Sequence, residues 1–202
     1  ISDQDKWRLD NVLVDAEFYE LPDFQRGKVR ESYDLGDGRR VMIATDRQSA
    51  FDHVLAAVPD KGHVLTATAA FWFEETQDIC SNHVISYPDP NVIIAKRLEM
   101  LPIEMVVRDY ITGTTDTSIW TMYAKGERDV YGQTLPDRLK KNDALPETII
   151  TPTTKGSVGG HDHPISAHEA VAQGLLTQAQ WDEAASKSLA LFERGREVAA
   201  KN

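Results

Sequence analysis

A fold that mixes strands with helices is predicted by three features: an alternating stretch with a glycine turn near the N-terminus, an aromatic-rich amphipathic segment, and two capped helical runs at the C-terminal end. Residues 28–35 alternate, Gly36-Asp37-Gly38 makes a turn, and residues 40–45 are rich in β-formers, so the three read as a β-hairpin. Over residues 64–79 apolar side chains recur at helical spacing around Phe71, Trp72 and Phe73, which predicts a core helix. Their large apolar area assigns these aromatics to packing rather than to a base-stacking platform. Two apolar runs, 92–95 and 103–107, read as buried strands on either side of a link, Arg97-Leu98-Glu99-Met100-Leu101-Pro102, that can offer backbone groups to a ligand. A short helix over 118–124, a polar stretch to Pro146 and a threonine- and glycine-rich loop over 151–163 follow. Ser166 and Thr177 are expected to cap two final helices, the second running to about Ala200.

Composition narrows the class of function more than it names one. The 202 residues are 41% hydrophobic and 27% charged, an ordinary globular balance with room for one large domain or two small ones. A formal charge of -10 argues against a surface that grips nucleic acid by neutralising phosphates, so an anionic ligand must be bound locally. Cys80 is the single cysteine, which excludes an intramolecular disulfide framework within these residues. Residues 1–11 do not read as a signal segment, and no apolar stretch approaches the roughly 20 residues of a membrane span. The expectation is a cytoplasmic protein with no nucleic-acid or membrane partner.

Four clusters carry candidate chemistry. In Gly27-Lys28-Val29-Arg30 two cations stand two residues apart; at the start of a strand they face the same way and suit either paired phosphates or an exposed edge. In Asp46-Arg47-Gln48-Ser49-Ala50-Phe51-Asp52 two carboxylates, a cation and a hydroxyl follow a strand; they suit ligand binding or a turn in which Asp46 and Ser49 bond nearby amides. Leu101-Pro102-Ile103-Glu104-Met105-Val106-Val107-Arg108-Asp109-Tyr110-Ile111-Thr112-Gly113-Thr114 ends an apolar strand on Arg108. That guanidinium can clamp a carboxylate or phosphate, with Gly113 allowing close backbone approach, or can pair with Glu104 or Asp109. Finally, Thr151-Pro152-Thr153-Thr154-Lys155, then Gly159-Gly160-His161-Asp162, joins hydroxyls, a lysine and flexible glycines, as a loop closing over an anion requires. His161, Asp162 and His163 are adjacent and do not readily converge on one metal ion.

In this order, G-K-V-R, D-R-x-S-A-F-D, P-D-K-G at residues 59–62, L-P-I-E-M-V-V-R-D-Y-I-T-G-T and T-P-T-T-K followed by H-D resemble the SAICAR synthase family, from about Phe24 to the last residue. The resemblance implies an α+β enzyme: a small antiparallel N-terminal part over 1–95, a larger α/β part over 96–202, and ATP in a cleft between them. It implies an ATP- and Mg²⁺-dependent ligase of purine biosynthesis that joins L-aspartate to carboxyaminoimidazole ribonucleotide, giving SAICAR, ADP and phosphate. Carried over residue by residue, Lys28 and Arg30 would lie at the ATP phosphates, and Arg97, Leu98, Glu99 and Met100 would meet adenine through their backbone. Ser49, Asp52, Arg108 and Thr114 would hold the ribonucleotide, and Lys155, His161 and Asp162 would form the catalytic loop. No metal ligand is assigned.

The sequence departs from the family pattern in three places. Thr114 stands where serine is common, which keeps the hydroxyl. The loop reads K-G-S-V-G-G-H-D where relatives often carry K-A-E-x-G-[DE]-H-D, so Ser157 and Gly160 replace carboxylates. The family's second signature, D-x-K-x-E-F-G on a strand, would follow the helix that ends near Lys201 and is not within these residues. The same motifs would also serve a nucleotide-binding homologue or fragment without turnover, or a protein-interaction module built on the old cleft.

Overall fold

The computed structural model describes residues 2–50, 53–155 and 162–201. The chain divides into two compact units, with the boundary between Glu99 and Met100.

The first unit contains α1 (Asp3–Asp10), β1 (Phe24–Arg26), β2 (Arg30–Asp34), β3 (Arg39–Ala44), β4 (Arg47–Ala50), β5 (His53–Ala57), α2 (Lys61–Glu75), β6 (Val84–Asp89) and β7 (Val92–Lys96). Five strands form one antiparallel sheet in the order β1-β2-β3-β7-β6, and β4 and β5 pair as a separate ribbon. The expected hairpin is β2–β3, turning through Gly36 and Gly38 at positive φ. Lys28, however, lies outside the strand: Gly27 N–H donates to Arg30 O at 2.7 Å and folds residues 27–30 into the connection between β1 and β2. The two-residue alternation argument therefore does not govern Lys28 and Arg30. The unit's core gathers Ala16, Tyr33, Val41 and Ile43, with Leu13, Leu21, Phe24 and Val92 against it.

Helix α2 begins earlier and ends earlier than the sequence pattern suggests, and it is not a core helix among the described residues. Gly62 and Thr66 are its buried residues, whereas Val64, Leu65 and Phe71 are exposed. Apolar residues surround this helix, so packing one face on β3 leaves the others outside. Gly62 makes that packing possible. A Cβ there would meet Ala44 O at 2.3 Å, so only glycine admits the close approach.

The second unit contains β8 (Ile103–Glu104), β9 (Val107–Tyr110), α3 (Ile119–Ala124), β10 (Asp129–Val130), β11 (Gln133–Thr134), β12 (Ala144–Ile150), β13 (Thr153–Thr154), α4 (Ala167–Ala172) and α5 (Gln178–Ala200). Its strands form three antiparallel pairs: β8 with β13, β9 with β12, and β10 with β11. The apolar run expected as one strand over 103–107 is split, because its two ends pair with different partners. The polar stretch to Pro146 is not merely loop. It contributes Val130, Tyr131, Leu135 and Leu145 to a core completed by Ile111, Ile119, Tyr123 and Ile149. Ser118, Ser166 and Thr177 cap α3, α4 and α5 through their side chains, the last two in full capping boxes with Glu169 and Gln180. No described helix is long and apolar enough to cross a membrane.

Candidate functional site

In the first unit, the residues expected at ATP, Lys28 and Arg30 on one side and Arg97 on the other, sit at the two ends of the β2–β3 hairpin. Lys28 and Arg30 lie at one end, where Arg30 is opposite Ala44, and both are exposed. At the other end Arg97 donates its backbone N–H to Gly38 O at 2.8 Å and sets its Nε 2.6 Å from Asp34 Oδ2. The link that follows, Leu98, Glu99 and then Met100 at the start of the second unit, has no regular structure and is exposed. The ends of β2 are about 13 Å apart, four steps of about 3.3 Å.

The Asp46–Asp52 cluster is not a locally capped turn. Asp46 is buried and reaches far along the chain: Leu13 N–H donates to Oδ2 at 2.9 Å and Gly62 N–H to Oδ1 at 2.8 Å. The second bond serves the first turn of α2, whose own preceding residue Asp60 makes no side-chain cap. Arg47 is buried and faces Glu31, which is fully enclosed; Nη1 lies 2.8 Å from Glu31 Oε1. Ser49 is half-buried in β4, opposite Val54 and next to a register shift. Asp52 lies outside the described residues.

In the second unit, two motifs far apart in sequence meet in space. β9 pairs with β12 so that Arg108 stands opposite Ile149, and Arg108 Nε donates to Thr151 Oγ1 at 2.9 Å. The alternative partners are engaged elsewhere. Glu104 lies 3.5 Å from Lys155 Nζ, while Asp109 accepts from Thr148 at 2.6 Å and faces Arg196 at 3.4 Å. Among the described residues no carboxylate lies within ion-pair distance of Arg108. Tyr131, whose hydroxyl bonds Thr117 O, has its pKa pushed above the ordinary phenol value by burial, and the Arg108 charge works in the opposite direction.

Lys155 follows β13, and its N–H donates to Pro102 O at 3.0 Å, so T-P-T-T-K is laid against L-P-I-E strand to strand. Beyond it, Thr154 and His163 hold each other: Thr154 N–H donates to His163 O at 2.9 Å, and His163 N–H to Thr154 Oγ1 at 3.2 Å. Both flanks of the expected catalytic loop are fixed at one place. His161, Ser157 and Gly160 lie outside the described residues; Asp162 is described and exposed. Thr114 is also exposed, after Gly113. Gly113 has φ +119°, and a Cβ would come within 2.3 Å of the Ser118 side chain. A side chain at this position would therefore clash with the start of α3. Among the described residues no three His, Cys, Asp or Glu side chains gather as a metal site.

Sequence reasoning missed Glu31 and Thr45 and gave no partner for Arg47 or Thr151; all four are buried polar residues whose partners lie far along the chain. Arg47 was within a recognised cluster, but nothing local signals a partner 16 residues away.

Residues 23–202 match the family model described as SAICAR synthetase. A putative phosphoribosylaminoimidazole-succinocarboxamide synthase 2 of Agrobacterium fabrum is 59% identical over 190 residues, covering 94% of this chain and 60% of that protein. The phosphoribosylaminoimidazole-succinocarboxamide synthase of Legionella pneumophila is 55% identical over 177 residues, 88% of this chain and 56% of the relative. The SAICAR synthase of Saccharomyces cerevisiae, solved in complex with SAICAR, superposes with a TM-score of 0.80 at 27% identity over 94% of this chain and 67% of its own. The chain thus spans 56–60% of the length of these curated relatives. With its motifs in order and its fold shared, the chain belongs to the SAICAR synthetase family.

Proposed function

We propose that this chain supplies the nucleotide- and ribonucleotide-binding part of a ligase that joins L-aspartate to carboxyaminoimidazole ribonucleotide. The observation that carries this reading is the 59% identity to a relative named for that activity, over nearly the whole of this chain. Direct amide formation from a carboxylate would expel oxide, so the carboxylate must be activated first. A carboxylate oxygen attacks the γ-phosphorus of ATP and ADP leaves. The aspartate amine then attacks the acyl carbon and phosphate departs with that oxygen, the nitrogen losing a proton.

The residues take their parts as follows. Lys28 and Arg30 meet the phosphates and the link from Arg97 to Met100 meets adenine, an arrangement supported by their positions at opposite ends of β2. Arg108 holds an anionic group of the ribonucleotide. Support comes from its fixed Nε and its lack of a described carboxylate partner, which leave an oriented cation suited to an anion. Thr114, Ser49 and Asp52 are assigned to the ribonucleotide as well, and Lys155, His161 and Asp162 to the reacting groups. Among the described residues no group of three or more His, Cys, Asp or Glu side chains is placed to hold a metal ion. Magnesium would accompany ATP on its phosphate oxygens, as is usual for this ion.

The test is to supply the ligase that contains this chain with Mg-ATP, L-aspartate and the ribonucleotide, and then omit each in turn. ADP and SAICAR should appear in equal amounts and only with all three present. Nucleotide binding without turnover would instead mark a non-catalytic homologue or fragment, and no response to nucleotide an interaction module.

A further inference from the structure

Three consecutive carbonyls, those of Gly27, Lys28 and Val29, are all drawn onto the segment Thr45–Arg47. Arg47 Nη2 donates to Gly27 O at 3.0 Å and Nε to Lys28 O at 3.1 Å. Thr45 donates to Val29 O twice, from its N–H at 3.0 Å and from its hydroxyl at 2.8 Å. Because trans peptide planes set the C=O and the following N–H on opposite sides, this turns the N–H groups of Lys28, Val29 and Arg30 away from Thr45 and Arg47. The device is rigid at its base. Thr45 and Arg47 are buried, and Arg47 Nη1 is held by Val14 O at 2.5 Å and by Glu31 at 2.8 Å. Glu31 is itself fixed by Arg26 at 3.0 Å and by the Ala16 N–H.

We infer that Arg47 is a positioning residue for ATP: it holds the Gly27–Arg30 connection in the shape that presents Lys28 and the adjoining amides to the phosphates. The inference rests on the phosphate assignment of Lys28 proposed above. A planar guanidinium can serve the Gly27, Lys28 and Val14 carbonyls together with the Glu31 carboxylate, whereas a lysine ammonium is a point donor that can keep the charge pair but not this span. Arg47→Lys therefore separates the positioning role from the buried ion pair.

The experiment uses the 202-residue chain and its Arg47→Lys, Lys28→Ala and doubly substituted forms, with ATP affinity by calorimetry and amide hydrogen exchange over residues 27–30. Cooperative thermal unfolding of each form checks the fold; if Arg47→Lys fails to fold, Thr45→Val, which loosens Val29 O alone, replaces it in the same comparison. Arg47→Lys should speed exchange in the connection and weaken ATP on the order of tenfold, and that loss should shrink below about twofold when Lys28 is already alanine. An equal loss in both backgrounds, as general destabilisation would give, overturns the inference. So does an unchanged ATP affinity. Failure of the unsubstituted chain to bind ATP would overturn the phosphate assignment as well, so the two failures are told apart by the unsubstituted chain.

Discussion

Arg108 and Thr151 are locked together at the end of the β9–β12 pair: the Thr151 hydroxyl accepts from Arg108 Nε at 2.9 Å and points its own hydrogen at Val106 O, 3.2 Å away. A buried hydroxyl used in both directions has a single orientation, and it fixes the guanidinium with it. Arg108→Ala should weaken the ribonucleotide by about 1.5–3 kcal/mol, the cost of a lost charge-assisted bond, while ATP affinity is little changed. Thr151→Val, which keeps the shape and removes the hydroxyl, should weaken the same ligand less. Equal losses for ribonucleotide and ATP in Arg108→Ala, with the fold intact, would remove the assignment.

Tyr33 offers a stability test independent of function. Its ring is fully buried, and its hydroxyl donates to Ala16 O at 2.7 Å while accepting from Phe18 N–H at 2.6 Å. The residue thereby fastens the segment before β1 to the sheet. Tyr33→Phe leaves a donor and an acceptor unsatisfied and should cost about 1–3 kcal/mol in urea unfolding. A loss below about 0.5 kcal/mol, the lower edge of a single net hydrogen bond, would mean that water replaces both bonds.

His83 predicts a dependence on pH. Partial burial, and secondarily the Arg30 charge, hold its pKa below the ordinary value of 6.5. The fold thus favours the neutral ring, and the unfolded chain binds the proton more readily. The His83 contribution is fully present above pH 6.5 and is lost as pH falls from there through the lowered folded pKa. His83→Gln should flatten the stability profile in that window, and a ring titration by NMR should show the low value. A His83 midpoint at or above 6.5 would contradict this.

What could be read from the sequence is what depends on near neighbours. Ser166 with Glu169 and Thr177 with Gln180 are three residues apart, and both capping boxes are present. The β2–β3 hairpin was legible because Gly36 and Gly38 punctuate two β-rich runs. Strands β10 and β11 were not, since two residues carry no period that separates strand from loop. The surroundings of α2 were misjudged because an apolar count cannot say which face finds a partner. For the candidate site, motifs selected Arg108 and Lys155, but their orientation comes from Thr151, 43 residues from Arg108, and from Glu104, across the β8–β13 pair. Spacing has no access to such contacts.

The proposed reaction has ATP activate a substrate carboxylate for attack by the aspartate amine. It is tested most directly by running the reaction with the ribonucleotide carboxylate labelled in both oxygens with ¹⁸O and following the label by mass spectrometry. One labelled oxygen is expected in the phosphate released for each SAICAR formed, the other remaining in the new amide carbonyl. Phosphate without label alongside SAICAR would contradict it, because the carboxylate oxygen would then have left by a route that does not pass through phosphorus.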